Sequence, residues 1–262
     1  MTIRCVQIGA AILIVLAAAV VVLTPATSAS TSTARRATPC PTLAQAASLP
    51  RWPGGGTARG DVDGNGYRGL GSIHYSPGAL STCGFFLVVQ TRRGALAVRV
   101  RESDFGKSSA AMLRHWSYPE PEISTVVQLG GKQSQFVIQR WHGASNFFVS
   151  LYGVADGKLR LLPFHDRNGN VIPEDTIGGF AAASSTVRCT RGGTMTDLID
   201  QAISPTRIRF DQVTWRLGRG GFWITKRNST SGPLDVVGPL EVRAGFNEPA
   251  FKGCTVSQGA HP

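Results

Sequence analysis

From Leu49 onward the chain alternates short apolar runs with clusters of Gly, Asn, Asp and Pro, a pattern of strands joined by turns. Phe85–Gln90 and Ala95–Val100 are two such runs on either side of a turn containing Gly94, and they predict a hairpin. Phe136–Arg140, Phe147–Tyr152 and Lys158–Pro163 repeat the theme, and Asp156-Gly157 between the last two suits a hairpin turn with positive φ. Ile208–Leu217 and Phe222–Lys226 flank Gly218, Gly220 and Gly221 and predict another hairpin, with Trp215 and Trp223 as a cross-strand pair. Helical spacing is confined to Phe105–Trp116 and Met195–Ala202, the second with Leu198, Ile199 and Ala202 on one side. The expected class is mainly β: a curved antiparallel sheet, compact sandwich or partial propeller-like repeat, with one or two short helices. Residues 49–262 suffice for one β-rich domain around a single core.

The opening of the chain follows a different pattern. Arg4 is the single charge in Met1–Gln7, and Ile8–Leu23 is sixteen residues of apolar side chains and Gly. Thr24, Pro25 and small residues through Ala29 follow. A basic end, an apolar stretch and a small-residue site predict a signal peptide over residues 1–29, with an uncleaved N-terminal membrane anchor as the alternative. Residues 30–48, rich in Ser, Thr, Ala and Pro, read as a flexible spacer, with the packed part beginning near Cys40 or Leu49. Arg35, Arg36 and Thr38-Pro39 ahead of Cys40 disfavour an acylated lipoprotein cysteine. Localisation is therefore expected to be secreted or extracytoplasmic, with membrane contact only through the N-terminal segment.

Cysteine usage points the same way. Setting Cys5 aside with the leader leaves Cys40, Cys83, Cys189 and Cys254, an even number in an oxidising compartment. Four cysteines allow three connectivities, and the pairing expected is Cys40–Cys83 with Cys189–Cys254, each within one half of the chain. No C-x-x-C spacing supports zinc or thioredoxin-type chemistry.

The formal charge of +11 favours anionic partners, with charge spread over a solvated surface as the alternative, since no block of like charges marks a binding tail. The partners consistent with it are an anionic cell-envelope polymer or another extracellular protein, with no nucleic acid expected. Abundant Ala, Gly, Val and Arg with few Lys suits a GC-rich bacterial genome.

The segment richest in candidate chemistry is Gly60-Asp61-Val62-Asp63-Gly64-Asn65-Gly66-Tyr67. Oxygen side chains at alternate positions followed by a bend-permitting Gly can wrap one hard cation, so Asp61, Asp63, Asn65 and the Tyr67 carbonyl form a candidate Ca²⁺ loop. The alternative is a polar turn held by side chain to backbone hydrogen bonds. As an EF-hand the segment fails, because Ser72 stands where the bidentate Glu belongs. Asp166-Arg167-Asn168-Gly169-Asn170 has Val171 at the bend position and predicts a hairpin turn instead. Arg59-Gly60-Asp61 spells an integrin-ligand triplet whose Asp61 belongs to the loop.

Gly60–Leu70, continued by Phe85–Gln90, resembles the FG-GAP or VCBS-type repeats of integrin-α-like β-propellers, whose blades carry an Asp-rich calcium loop between strands. Where those repeats place a further carboxylate, this chain has Gly69. A degenerate second copy, with Gly130, Gly131, Lys132 and Gln133 in place of acids, would give repeat units at about 57–105 and 123–164. The resemblance implies a partial propeller-like fold and calcium as its cofactor.

Enzyme signatures are sparse. The sequence has no Gly-x-Ser-x-Gly elbow, no His-Glu-x-x-His, no Gly-x-Gly-x-x-Gly at a strand-to-helix junction and no P-loop. His74, His115, His142, His165 and His261 stand apart, and Glu120 and Glu122 flank Pro121 in a turn-like setting. Trp52, Trp116, Trp141, Trp215 and Trp223 read as core aromatics, with a sugar-stacking platform as the alternative. The reading reached is a secreted or surface-held, non-catalytic binding or structural module, stabilised by Ca²⁺. Its rivals are a basic wall- or polyanion-binding module and a secreted hydrolase with a site around His142.

Overall fold

A computed structural model describes residues 39–77, 83–100, 120–129, 131–141, 146–172, 175–180, 183–190 and 193–258. The expected leader, the first part of the expected spacer, the expected helix over Phe105–Trp116, and His115, His142 and His261 lie outside the described residues.

The described fold is mainly β, built on two sheets. The first is a four-stranded antiparallel meander of β1 (Thr57–Gly60), β2 (Gly69–Tyr75), β3 (Phe85–Thr91) and β4 (Gly94–Val100), paired in that order. Its third strand shows why an unbroken apolar run is needed there. Leu87 and Val89 face the second sheet, whereas Phe86 and Val88 pack under Ala46 and Leu49. With both faces covered, no position in the middle of the strand can be polar without losing its solvation.

The second sheet opens with a similar meander: β5 (Glu122–Gln128), β6 (Ser134–Trp141), β7 (Asn146–Ala155) and β8 (Lys158–Leu161). Only the second half of β7 pairs with β8; its first half pairs with β11 (Asp175–Phe180). From there the sheet runs through β12 (Ala183–Thr190), β13 (Thr194–Ser204), β14 (Arg207–Gly218) and β15 (Gly221–Pro233). It ends on β9 (Phe164–His165) and β10 (Val171–Ile172), and β16 (Thr255–Gln258) closes the other edge against β5. All pairings are antiparallel except β15 with β9.

This twelve-stranded sheet curls into a half-barrel, so that its two ends share one core. Val137, Val149 and Leu151 from the first end meet Val187, Met195, Val213, Trp215 and Phe222 from the other. On the opposite face of the meander, Val126, Phe136, Ile138 and Tyr152 pack against Ala58, Ile73 and Leu87 of the first sheet. Gly71 makes that contact close: a Cβ there would stand 2.2 Å from Phe136 Cε1.

Both disulfides expected from the sequence are formed, Cys40–Cys83 and Cys189–Cys254, closing 43 and 65 residues of chain. Disulfides form and persist in oxidising, extracytoplasmic compartments, and the first leaves no thiol at Cys40 for acylation. Of the two expected starts of the packed part, the structure takes the earlier: Cys40 is bridged and Ala46 is fully buried within a 3-10 turn, Ala46–Ser48. Among the described residues no helix is long and apolar enough to cross a membrane.

Three hairpins fall where their turn residues place them, β3/β4, β7/β8 and β14/β15. Asp156 and Gly157 both take positive φ, 53° and 72°, as a two-residue hairpin turn requires. The helix expected over Met195–Ala202 is corrected: the segment is strand, hydrogen-bonded along its length to β12 and β14. Partners on both edges satisfy its backbone better than helical spacing of three side chains could. The helix that does form, α1 (Leu234–Ala244), carries Gly238 and Pro239 inside, which hid it from pattern reading. Asp235 in its first turn and Arg243 in its last suit the helix dipole, and Gly245 caps it in the left-handed region at φ 81°. Val237, Leu240 and Ala244 seat it on Leu198, Ile208 and Phe210 of β13 and β14.

Candidate functional site

The Asp61 loop joins β1 to β2 and rests on the turn between β5 and β6. Ser134 N donates to the Asp61 carbonyl at 2.7 Å, and Asp61 N donates to Ser134 Oγ at 3.1 Å. Gly64 and Gly66 hold φ of 71° and 84°, so the chain bends where other residues would be strained. A Cβ on Gly64 would also lie 3.3 Å from Gln133 Cγ.

Within the loop the side chains turn inward. Asp61 Oδ1 accepts from Asn65 N at 3.1 Å and Oδ2 from Gly66 N at 2.7 Å. Asp63 Oδ2 accepts from Asn65 Nδ2 at 2.7 Å, and Asn65 Oδ1 accepts from Tyr67 N at 2.8 Å. The structure therefore brings Asp61, Asp63 and Asn65 together as the sequence spacing implies. Each carboxylate oxygen has two lone pairs, so those bonds leave acceptor capacity on both aspartates. Among the described residues, no group of three or more His, Cys, Asp or Glu side chains converges anywhere. A cation here would be held by two carboxylates, the Asn65 amide oxygen, the Tyr67 carbonyl and water.

The rim of the loop is cationic. Arg59 Nη1 donates to the Arg68 carbonyl and Arg68 Nη2 to the Arg59 carbonyl, both at 3.4 Å, and the Arg92 guanidinium lies 5.7 Å over the Tyr67 ring. These positive charges would repel a dication held in the loop. The Arg-Gly-Asp triplet is pinned, since a Cβ on Gly60 would meet Val126 Cγ1 at 2.9 Å and Asp61 is engaged by its own loop. Asp166 forms the expected hairpin turn between β9 and β10, accepting from Asn168 N and Asn170 N at 2.8 Å. The side-chain bond from Asn170 and those amides hold its carboxyl below the usual range.

No known protein-family model matches the chain, and neither a curated protein nor a solved structure matches it.

One polar pair was invisible to motif reading. His74 Nδ1 lies 2.8 Å from the Leu49 carbonyl and His74 Nε2 lies 2.9 Å from Ser72 Oγ. A carbonyl can only accept, so Nδ1 carries the proton and the Ser72 hydroxyl donates to Nε2. Ser72 and His74 are only 4% and 5% exposed, which shuts the hydroxyl off from any reacting molecule. The pair ties residues 49–51 to β2, and desolvation pushes the His74 pKa down, with Arg51 adding to that and the Leu49 bond opposing it.

The tryptophans divide by environment. Trp215 is core, 6% exposed, in edge contact with Phe164 at 5.1 Å, and its indole N–H donates to the buried Asp197. Trp52 sits edge-on to Tyr75 and Phe85, with centroids 5.1 and 5.2 Å away. Trp223 is 42% exposed and stacks on His165. The expected Trp215–Trp223 cross-strand pair is not formed. Trp215 faces Ile224 and Trp223 faces Arg216, because the two-residue turn Arg219-Gly220 pairs Gly218 with Gly221 and that register runs unbroken as far as Trp215.

Proposed function

We propose that this chain is an extracytoplasmic, non-catalytic binding or structural module, secreted or held at the cell surface by its N-terminal segment, with Ca²⁺ in the Asp61 loop stapling two sheets together. The observation that carries this reading is the pair of bonds between Asp61 and Ser134, which places the loop at the seam between the first meander and the second. An ion that orders this loop stiffens the seam, which suits a module whose task is to hold a surface in shape. The two disulfides support an oxidising compartment, where calcium is plentiful. The resemblance to FG-GAP or VCBS-type repeats draws support from the two four-stranded meanders, β1–β4 and β5–β8, each with its loop after the first strand.

Thermal melting of the exported domain with millimolar Ca²⁺ and with chelator tests the proposal. Calcium should raise the melting temperature, by the equivalent of about 2.7 kcal/mol at a hundredfold excess over Kd, and Asp63→Ala should abolish the rise. Equal melting in both conditions removes calcium from the account. Recovery of the intact chain from cytosol with free thiols removes the extracytoplasmic reading.

A further inference from the structure

On β13 and β14 the outer face of the large sheet is covered by α1 at Leu198, Ile208 and Phe210, whereas nearer the β14–β15 turn Arg216 and Trp223 on that face are exposed. Successive registers place Val171, His165, Trp223, Arg216, Thr194 and Thr190 opposite one another on β10, β9, β15, β14, β13 and β12. Cross-strand partners share a face, so these six side chains form one transverse row. It is open to solvent: Val171 is 59% and Trp223 42% exposed, and Arg216 and Thr190 are exposed as well. With neighbouring strands about 4.8 Å apart, the row is on the order of 24 Å long.

The row is shaped for more than solvation. The His165 imidazole lies parallel to the Trp223 indole, 8° between planes and 4.1 Å between centroids. Gly218 leaves exposed backbone beside the indole, since a Cβ would stand 3.0 Å from Trp223 Cδ1, whereas buried Gly221 lets β15 pack on β9, where a Cβ would meet the Pro163 carbonyl at 2.3 Å and His165 Nε2 at 2.9 Å. The bulge at Thr214/Trp215 puts Lys226 opposite Thr214, on the same face as Arg216. An aromatic pair is thus flanked by an Arg fork, a Lys and two threonine hydroxyls. No acidic side chain stands in the row.

We infer that this row is a docking surface for an acidic polysaccharide, a linear sugar chain carrying carboxylates. The inference rests on the reading of the chain as a binding module and names its ligand class. The apolar face of a sugar ring suits the Trp223–His165 pair, an Arg fork takes a carboxylate bidentately, and hydroxyls of a sugar find Thr194 and Thr190. The sign of the ligand follows from Arg216 and Lys226 on a chain of net charge +11. A row crossing six strands matches an extended polymer better than a compact ligand.

The test is titration of the exported domain with polygalacturonate, neutral dextran and poly-L-glutamate at low and moderate salt. Polygalacturonate should bind, more weakly as salt rises, and dextran and polyglutamate should bind at least tenfold less tightly. Trp223→Ala and Arg216→Ala should each weaken polygalacturonate binding about tenfold with melting temperature unchanged, whereas Arg92→Ala should leave it as it was. Equal binding of polyglutamate, indifference to Trp223→Ala, or no binding to polygalacturonate by the folded domain overturns the inference. Each of those results leaves the calcium-dependent melt standing as the separate test of the module itself.

Discussion

Asp61 and Ser134, 73 residues apart in sequence, hold each other by two hydrogen bonds, one through the Asp61 carbonyl and one through its amide. The serine accepts from a backbone N–H that no strand partner reaches, and Ser134 itself is buried. Removing its hydroxyl leaves that donor without a partner. Ser134→Ala should therefore destabilise the domain by about 1–2 kcal/mol, read from the urea midpoint at constant m-value. An unchanged midpoint would show that water replaces the hydroxyl and that the seam does not depend on this contact.

Gly71 and Phe136 make the second contact across the seam. A methyl group on Gly71 would lie 2.2 Å from the Phe136 ring, so Gly71→Ala should cost about 1–3 kcal/mol by overpacking. Phe136→Leu should recover part of that loss in the double variant, whereas alone it should destabilise. Additive costs in the two-variant cycle would mean that the strain falls elsewhere.

His74 should make stability fall as pH drops. Desolvation is the main reason its pKa lies below 6.5, and the unfolded chain binds a proton there before the folded one does. The neutral ring thus stabilises the fold fully above the unfolded value. The contribution is lost as pH falls from about 6.5 toward the depressed folded pKa. Chemical denaturation from pH 8 to pH 5 should show this slope, and His74→Gln, which keeps polar atoms without titrating, should flatten it.

Asp211 should act at lower pH. Burial pushes its carboxyl up, but bonds from Ser229 and Arg227 and the charges of Arg209 and Arg227 outweigh it and hold the pKa below the ordinary value. Arg227 Nη2 and Arg209 Nε lie 3.1 and 3.3 Å from Oδ2. The carboxylate therefore stabilises the fold above pH 3.8, and that contribution is lost as pH falls through the depressed folded pKa. Asp211→Asn should cost about 2 kcal/mol at pH 7, with a smaller cost near pH 3, both measured by urea unfolding.

Strand identity and turn position were legible in the sequence because both are local. Phe85–Gln90 is an unbroken apolar run bounded by turn residues, and Asp156-Gly157 takes positive φ, so each is marked by its own residues even though the partners that cover the strand are distant. The expected pairing joined each cysteine to one in its own half of the chain, and both bridges are formed that way. The Asp61 loop was legible as a cluster of oxygens; its seat on Ser134 was not, since nothing near Asp61 in sequence names that partner.

What only the tertiary structure decided concerns the choice of neighbours. Leu198, Ile199 and Ala202 have helical spacing, yet β12 and β14 capture the segment as a strand. Leu234–Ala244 becomes helix despite Pro239 because burying Val237 and Leu240 on β13 and β14 offsets the missing hydrogen bond. The two-residue turn Arg219-Gly220 sets a register that puts Trp215 in the core and Trp223 opposite Arg216 on the surface, and the pairing of β15 with β9 brings Trp223 beside His165. Side-chain alternation determines which residues share a face within a strand. Which strands lie beside one another, and therefore which faces meet solvent, is determined by how the curled sheet closes over its core.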